Sequence, residues 1–219
     1  MPGLSNAALR DFGRNTVEKT WFPGLPDLFE DLRNVVEEYR DVSVEFHIIS
    51  GGLQPIIEGC PSVQKYVSGV YACQLAEGDD GMVAEVRRCV TFTEKTRFLF
   101  EINKGIAPAD AQTKPHLVNE KVDEGARPVP LQNMTYVGDG LTDIPCFSLI
   151  EKNGGLAFAV FKRGEESAKQ QFQQLLATHR VSSMHSPDFR PDGDLGAMLR
   201  LAVGNRAAQI QLGTQRALA

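Results

Sequence analysis

Two kinds of apolar pattern alternate along this chain, and the alternation limits the folds open to it. In "PDLFEDLRNVVEEY", Leu28, Phe29, Leu32, Val35, Val36 and Tyr39 recur at helical spacing behind Pro26 and Asp27, which predicts an amphipathic helix. The next run, "VSVEFHIIS", is rich in β-branched and aromatic residues. It predicts a buried strand ending at Ser50, with Gly51 and Gly52 as a tight turn before a short helix over "LQPIIEG". "VSGVYACQL" and "MVAEVRRCVTF" flank "AEGDDG", and the Gly and Asp content of the latter predicts a hairpin. "TEKTRFLFEINKG" predicts a helix capped by Thr93, stopped by Gly105, and carrying Lys95 in its first turn.

From Ile106 to Asn133 the periodicity fails, and an inserted loop with a local strand or turn is expected. An apolar strand "MTYV" follows, then a helix from about Ile144, a strand "GLAFAVF" and a helix "EESAKQQFQQLLAT". In the last predicted helix Leu195, Met198, Leu199, Ala202 and Val203 share a face, and from about Asn205 a weakly ordered tail is expected. Helices alternating with buried strands predict an α/β fold with a mainly parallel sheet.

Composition excludes several classes of partner. At 219 residues, 42% hydrophobic and 23% charged, the chain can bury the core of one domain with a small appendage. A net charge of -5 and a pI near 5.4 give no electrostatic footprint for nucleic acid or an anionic membrane. The first 15 residues lack the basic and apolar segments of a signal peptide, and no run is long enough to span a bilayer, so a cytoplasmic location is expected. Cys60, Cys73, Cys89 and Cys146 form no C-x-x-C pair and are expected to be buried small apolar residues. His47, His116, His179 and His185 show no metal-ligand spacing, and His47 is expected to be a satisfied core histidine.

Ligands of open α/β sheets gather beyond the carboxyl ends of the strands. Ser50, followed by Gly51 and Gly52, can offer a hydroxyl and backbone N–H groups to an anion, and Lys95 can supply a positive charge. Singly, each is more simply a turn and a solvated lysine. In "MTYVGDGLTDIP", Asp143 can cap the helix begun by Ile144 and Pro145, but capping does not explain Asp139 between Gly138 and Gly140. The two glycines are expected to permit a sharp turn. Two carboxylates at one strand end suit Mg²⁺, which is usually held by one or two carboxylates plus waters and substrate phosphate.

The ordered set of Ser50 after "FHII", Lys95 at a helix start and "GDGLTD" after an apolar strand resembles the haloacid dehalogenase superfamily, especially its phosphoserine-phosphatase-like branch. The resemblance covers most of residues 25 to 180. It implies a Rossmann-like core and Mg²⁺-dependent hydrolysis of a small phosphomonoester through an aspartyl-phosphate. By position, Ser50 with Gly51 would bind the phosphoryl group and Lys95 would balance its charge. Asp139 would hold Mg²⁺, and Asp143 would support the metal shell and orient Lys95. Lys104 competes for the lysine role but stands at the far end of its helix.

The family's first motif, DxDx[TV] after an apolar strand, supplies the nucleophile and is not in these 219 residues. "EGDDGM" and "RPDGDLG" have paired acids but follow no buried strand. In the family that first strand lies mid-sheet, between the strands ending at Ser50 and Val137. The resemblance therefore implies a core over 25–204 that lacks its central first strand, with an insertion at about 106–133. Residues 1–24 would be the remnant of a helical cap, and 205–219 a tail.

Little or no turnover by this chain alone is expected, since covalent catalysis needs its nucleophile. An alternative from another class is an inactive pseudoenzyme that binds a phosphorylated ligand or a protein. A third reading has a second chain supplying the strand. A plain nucleotide-binding domain ranks last, because neither G-x-G-x-x-G nor a P-loop is present. The expected partner is a small phosphorylated molecule, with no nucleic acid and no membrane, and a homo-oligomer is compatible with the sequence.

Overall fold

Helix formation begins at Ser5 in the computed structural model, which describes residues 3–161 and 166–218. The Ser5 hydroxyl accepts the Ala8 N–H at 3.1 Å and caps α1 (Asn6–Asn15). α2 (Asp27–Val36) buries Leu28, Leu32 and Val36 along one stripe, as its apolar spacing requires, and ends before Tyr39. β1 (His47–Leu53) leads into α3 (Gln54–Gly59) and α4 (Pro61–Tyr66), each with proline in its first turn. β2 (Gly69–Glu77) and β3 (Val83–Arg88) form the expected hairpin.

α5 (Phe92–Asn103) is followed by Gly105 at φ +68°, the left-handed stop that glycine tolerates best. Residues 106–133 contain no strand; they fold as α6 (Pro108–Thr113) and three 3₁₀ turns at Pro115–Asn119, Glu124–Ala126 and Leu131–Asn133. β4 (Thr135–Gly138), a 3₁₀ turn at Leu141–Asp143, α7 (Ile144–Lys152) and β5 (Leu156–Val160) come next. The chain continues with α8 (Glu166–Ala177), β6 (Ser183–His185) and α9 (Asp194–Leu218).

The elements gather into two compact units. The first comprises Met1–Trp21 and Glu45–Val129, the second Phe22–Val44 and Pro130–Ala219. In the first, β2 is central, parallel to β1 and antiparallel to β3. Tyr71, Ala72, Phe98 and Leu99 are buried there. α1 lies unusually close to α3: a Cβ on Gly13 would stand 2.0 Å from the Ile56 carbonyl oxygen, and one on Gly59 2.2 Å from that of Arg10. In the second, β4-β5-β6 is an all-parallel sheet. β5 is its middle strand, and Ala157, Phe158, Ala159 and Val160 are buried in succession, the continuous apolar run of a strand covered on both faces.

Several expectations are corrected. The strand does not end at Ser50: it starts only at His47 and runs through Gly51 and Gly52 to Leu53. Its pairing with β2 passes from Ile49↔Tyr71 to Leu53↔Cys73, so two extra residues are accommodated as a bulge at Ser50–Gly52 instead of a turn. The cap of α5 is Thr91, whose N–H donates to Glu94 at 3.3 Å, while Thr93 lies inside the helix. Residues 205–218 are helical, because Ala, Gln, Leu and Arg let α9 propagate past its packed part. Cys89 is exposed, whereas Cys60, Cys73 and Cys146 are buried, and none of the four is in a disulfide. His47 meets Glu45 through Nε2 at 3.1 Å, but its buried Nδ1 lacks a hydrogen bond. Among the described residues no helix is long and apolar enough to cross a membrane.

Candidate functional site: the carboxyl end of β4

β4 alternates as a strand packed on one face must: Tyr136 is buried and Val137 is exposed. Tyr136 points beneath the turn that follows, and its hydroxyl donates to Asp143 Oδ1 at 2.6 Å. Asp143 Oδ2 accepts the Gly140 N–H at 3.1 Å, so a carboxylate only 4% exposed is held from both sides. Burial, followed by the Asp143 carboxylate, pushes the Tyr136 hydroxyl far up, keeping it a neutral donor. Asp143 is the N-cap residue of α7 but makes no side-chain capping bond; it serves the turn instead.

The glycines act differently from expectation. Neither Gly138 nor Gly140 adopts a positive φ. Gly138 is required by space, since a Cβ there would lie 2.7 Å from Asp143 Cγ and 2.9 Å from Phe147 Cζ. The turn thus closes directly over the Asp143 carboxylate, and Asp139 is left at the rim. Asp139 is exposed, and among the described residues its carboxylate has no hydrogen bond or ion pair.

The other candidates belong to the first unit. Ser50 sits on the bulge of β1, and its Oγ accepts the Gly52 N–H at 2.9 Å. An acceptor lone pair is used locally, which leaves the O–H to donate to an anion. The Gly51 carbonyl accepts the Cys73 thiol at 3.2 Å. Lys95, in the first turn of α5, is 7% exposed and not the solvated lysine that a helix start usually carries. Ser50 and Lys95 therefore share one unit, and Asp139 and Asp143 share one turn of the other.

Sequence reasoning missed Tyr136, although its position two residues before Gly138 on a period-two strand was a usable signal. It also missed Glu101, which is 1% exposed, accepts Arg97 Nε at 2.8 Å through Oε1 and leaves Oε2 without a hydrogen bond. Burial pushes the Glu101 carboxyl up, against the pull of Arg97 and Arg88.

No cluster of three or more His, Cys, Asp or Glu side chains suited to a metal occurs among the described residues. Mg²⁺ needs less from a protein. Asp139 offers one exposed carboxylate to a hard cation, while both Asp143 oxygens are already engaged by Tyr136 and the Gly140 N–H.

No family model matches the chain. An uncharacterized protein of Borreliella burgdorferi is 27% identical over 190 residues, covering 78% of this chain and 62% of that protein. The chain thus spans less than two thirds of the length of this relative.

Proposed function

We propose that the chain carries the phosphate-handling residues of a haloacid dehalogenase-like, Mg²⁺-dependent phosphatase acting on a small phosphomonoester. The observation that carries this reading is the exposed carboxylate of Asp139, unpartnered among the described residues, at the carboxyl end of a parallel strand, above a buried Asp143 fixed by Tyr136 and the Gly140 N–H. Asp139 would hold the cation directly, and Asp143 would keep the turn rigid beneath it. Bound there, Mg²⁺ would offset charge on a phosphate ligand. Within the first unit, and by the resemblance alone, Ser50 would offer its O–H and Lys95 its charge to an anion.

Since the 219 residues contain no DxDx[TV] after an apolar strand, they bind without turnover under this reading. A binding module is what remains if the nucleophile is never supplied. The test is Mn²⁺ titration, followed by electron paramagnetic resonance, of the 219-residue protein and Asp139→Asn. Saturable binding that weakens roughly tenfold or more in the variant supports the reading, tenfold being the loss of one charged ligand interaction of about 1.4 kcal/mol. Equal binding by both proteins, or none by either, removes Asp139 from the metal role.

A further inference from the structure

A cluster of cationic side chains, independent of the strand-end reading, lies wholly inside the first unit. A cleft of about 540 Å³ opens between α5 and the irregular segment that follows it, and Arg97, Lys104 and Arg127 all line it. No acidic side chain lines it, in a protein whose net charge is -5. Thr96, Arg97, Phe100 and Lys104 fall on one side of α5 at about 100° per residue, roughly opposite the stripe of Lys95, Phe98, Leu99 and Ile102 that is buried. The cleft is therefore on the face of α5 turned away from Lys95.

Each cation is held in place by the protein while keeping donors unused. Arg97 directs Nε to the buried carboxylate of Glu101 at 2.8 Å, and Arg127 directs Nε to the Val122 carbonyl at 3.3 Å. Among the described residues the terminal nitrogens of both guanidinium groups have no protein acceptor. That is the edge with which arginine grips a carboxylate or phosphate through two parallel hydrogen bonds. Lys104 donates to the Val118 and Glu120 carbonyls, both at 2.6 Å, and so ties the segment to the end of α5 with one ammonium proton remaining. Phe100 and Val118 give the wall an apolar part.

We propose that this cleft binds a small organic polyanion, two or more carboxylate or phosphate groups meeting Arg97, Arg127 and Lys104, with its carbon framework against Phe100 and Val118. The volume lies within the range of roughly 300–1,000 Å³ usual for small-molecule sites and exceeds what a lone oxyanion fills.

The experiment is a ¹H–¹⁵N NMR titration of the 219-residue protein at fixed ionic strength, with citrate in one arm and pyrophosphate in the other. Saturable shifts confined to the last two turns of α5 and residues 118–127 are expected, and the arm that saturates at lower concentration names the anion class. Arg127→Gln should weaken that binding roughly tenfold, Lys104→Gln should weaken it as well, and Asp139→Asn should leave it unchanged. The proposal is overturned if neither anion gives saturable shifts, if the shifts centre elsewhere, or if both cleft variants bind as the parent does.

Discussion

Tyr136 and Asp143 show how one hydroxyl can decide the state of a turn. The phenol meets Asp143 Oδ1 at 2.6 Å below a loop whose rim carries Asp139. Removing it by Tyr136→Phe leaves a buried carboxylate oxygen without that donor, at a cost of about 1–3 kcal/mol. Urea denaturation should show the loss as a lower midpoint with an unchanged slope. The variant should keep Mn²⁺ affinity closer to the parent than Asp139→Asn does, because the metal-holding group is still present. An unchanged midpoint would mean that the hydrogen bond contributes nothing net to folding. The sequence carried both aspartates in plain view, with capping a simpler purpose for Asp143 but not for Asp139; what it did not display was the partner that holds Asp143.

At the scale of elements, close approach matters as much as apolar area. α1 and α3 meet backbone to backbone at Gly13 and Gly59, and the Cys60 thiol donates across the contact to the Gly13 carbonyl at 3.5 Å. Gly59→Ala puts a Cβ 2.2 Å from the Arg10 carbonyl oxygen, a distance only a backbone shift can relieve. Alanine raises intrinsic helix propensity at this position by up to about 1 kcal/mol, yet overpacking of this kind costs about 1–3 kcal/mol, so net destabilisation is expected. A thermal melt of the variant with a raised midpoint would show that α1 can move away without loss. The sheets have the opposite character: β1 and β4 are edge strands, each with one hydrogen-bonded neighbour within its own sheet.

For the whole molecule, the main fact is that each unit is built from pieces distant in sequence. The second unit needs Phe22–Val44 as well as Pro130–Ala219. α2 packs against α9, with Val35 beneath Gly204 and Asp31 meeting Arg200 at 2.9 Å. Buried Leu28, Leu32 and Val36 on α2 contribute on the order of 5 kcal/mol of apolar burial, whereas the half-exposed ion pair adds at most about 1 kcal/mol. A fragment of residues 130–219 should therefore lack a cooperative melt by circular dichroism, and a peptide of residues 22–44 added in trans should restore one. A fragment that melts cooperatively alone would show α2 to be dispensable for that core.

Local signals in the sequence determined the elements whose identity depends on neighbours in the chain. The stripe of α2, the hairpin around "AEGDDG", Gly105 after α5, the apolar run of β5 and Pro145 at the start of α7 are each set by periodicity or turn chemistry over a few residues. Thr91 belongs in that group as well, since Thr91-x-x-Glu94 is a capping box written in the sequence. Only the tertiary structure decided where β1 ends, because Gly51 and Gly52 extend the strand only when β2 lies alongside to pair with it. The same holds for the division into two units, the burial of Lys95, the hold of Tyr136 on Asp143 and the convergence of Arg97, Lys104 and Arg127. Those features rest on groups brought together by folding, and a pattern of neighbours along the chain does not encode how much water, or which distant donor, each side chain will meet.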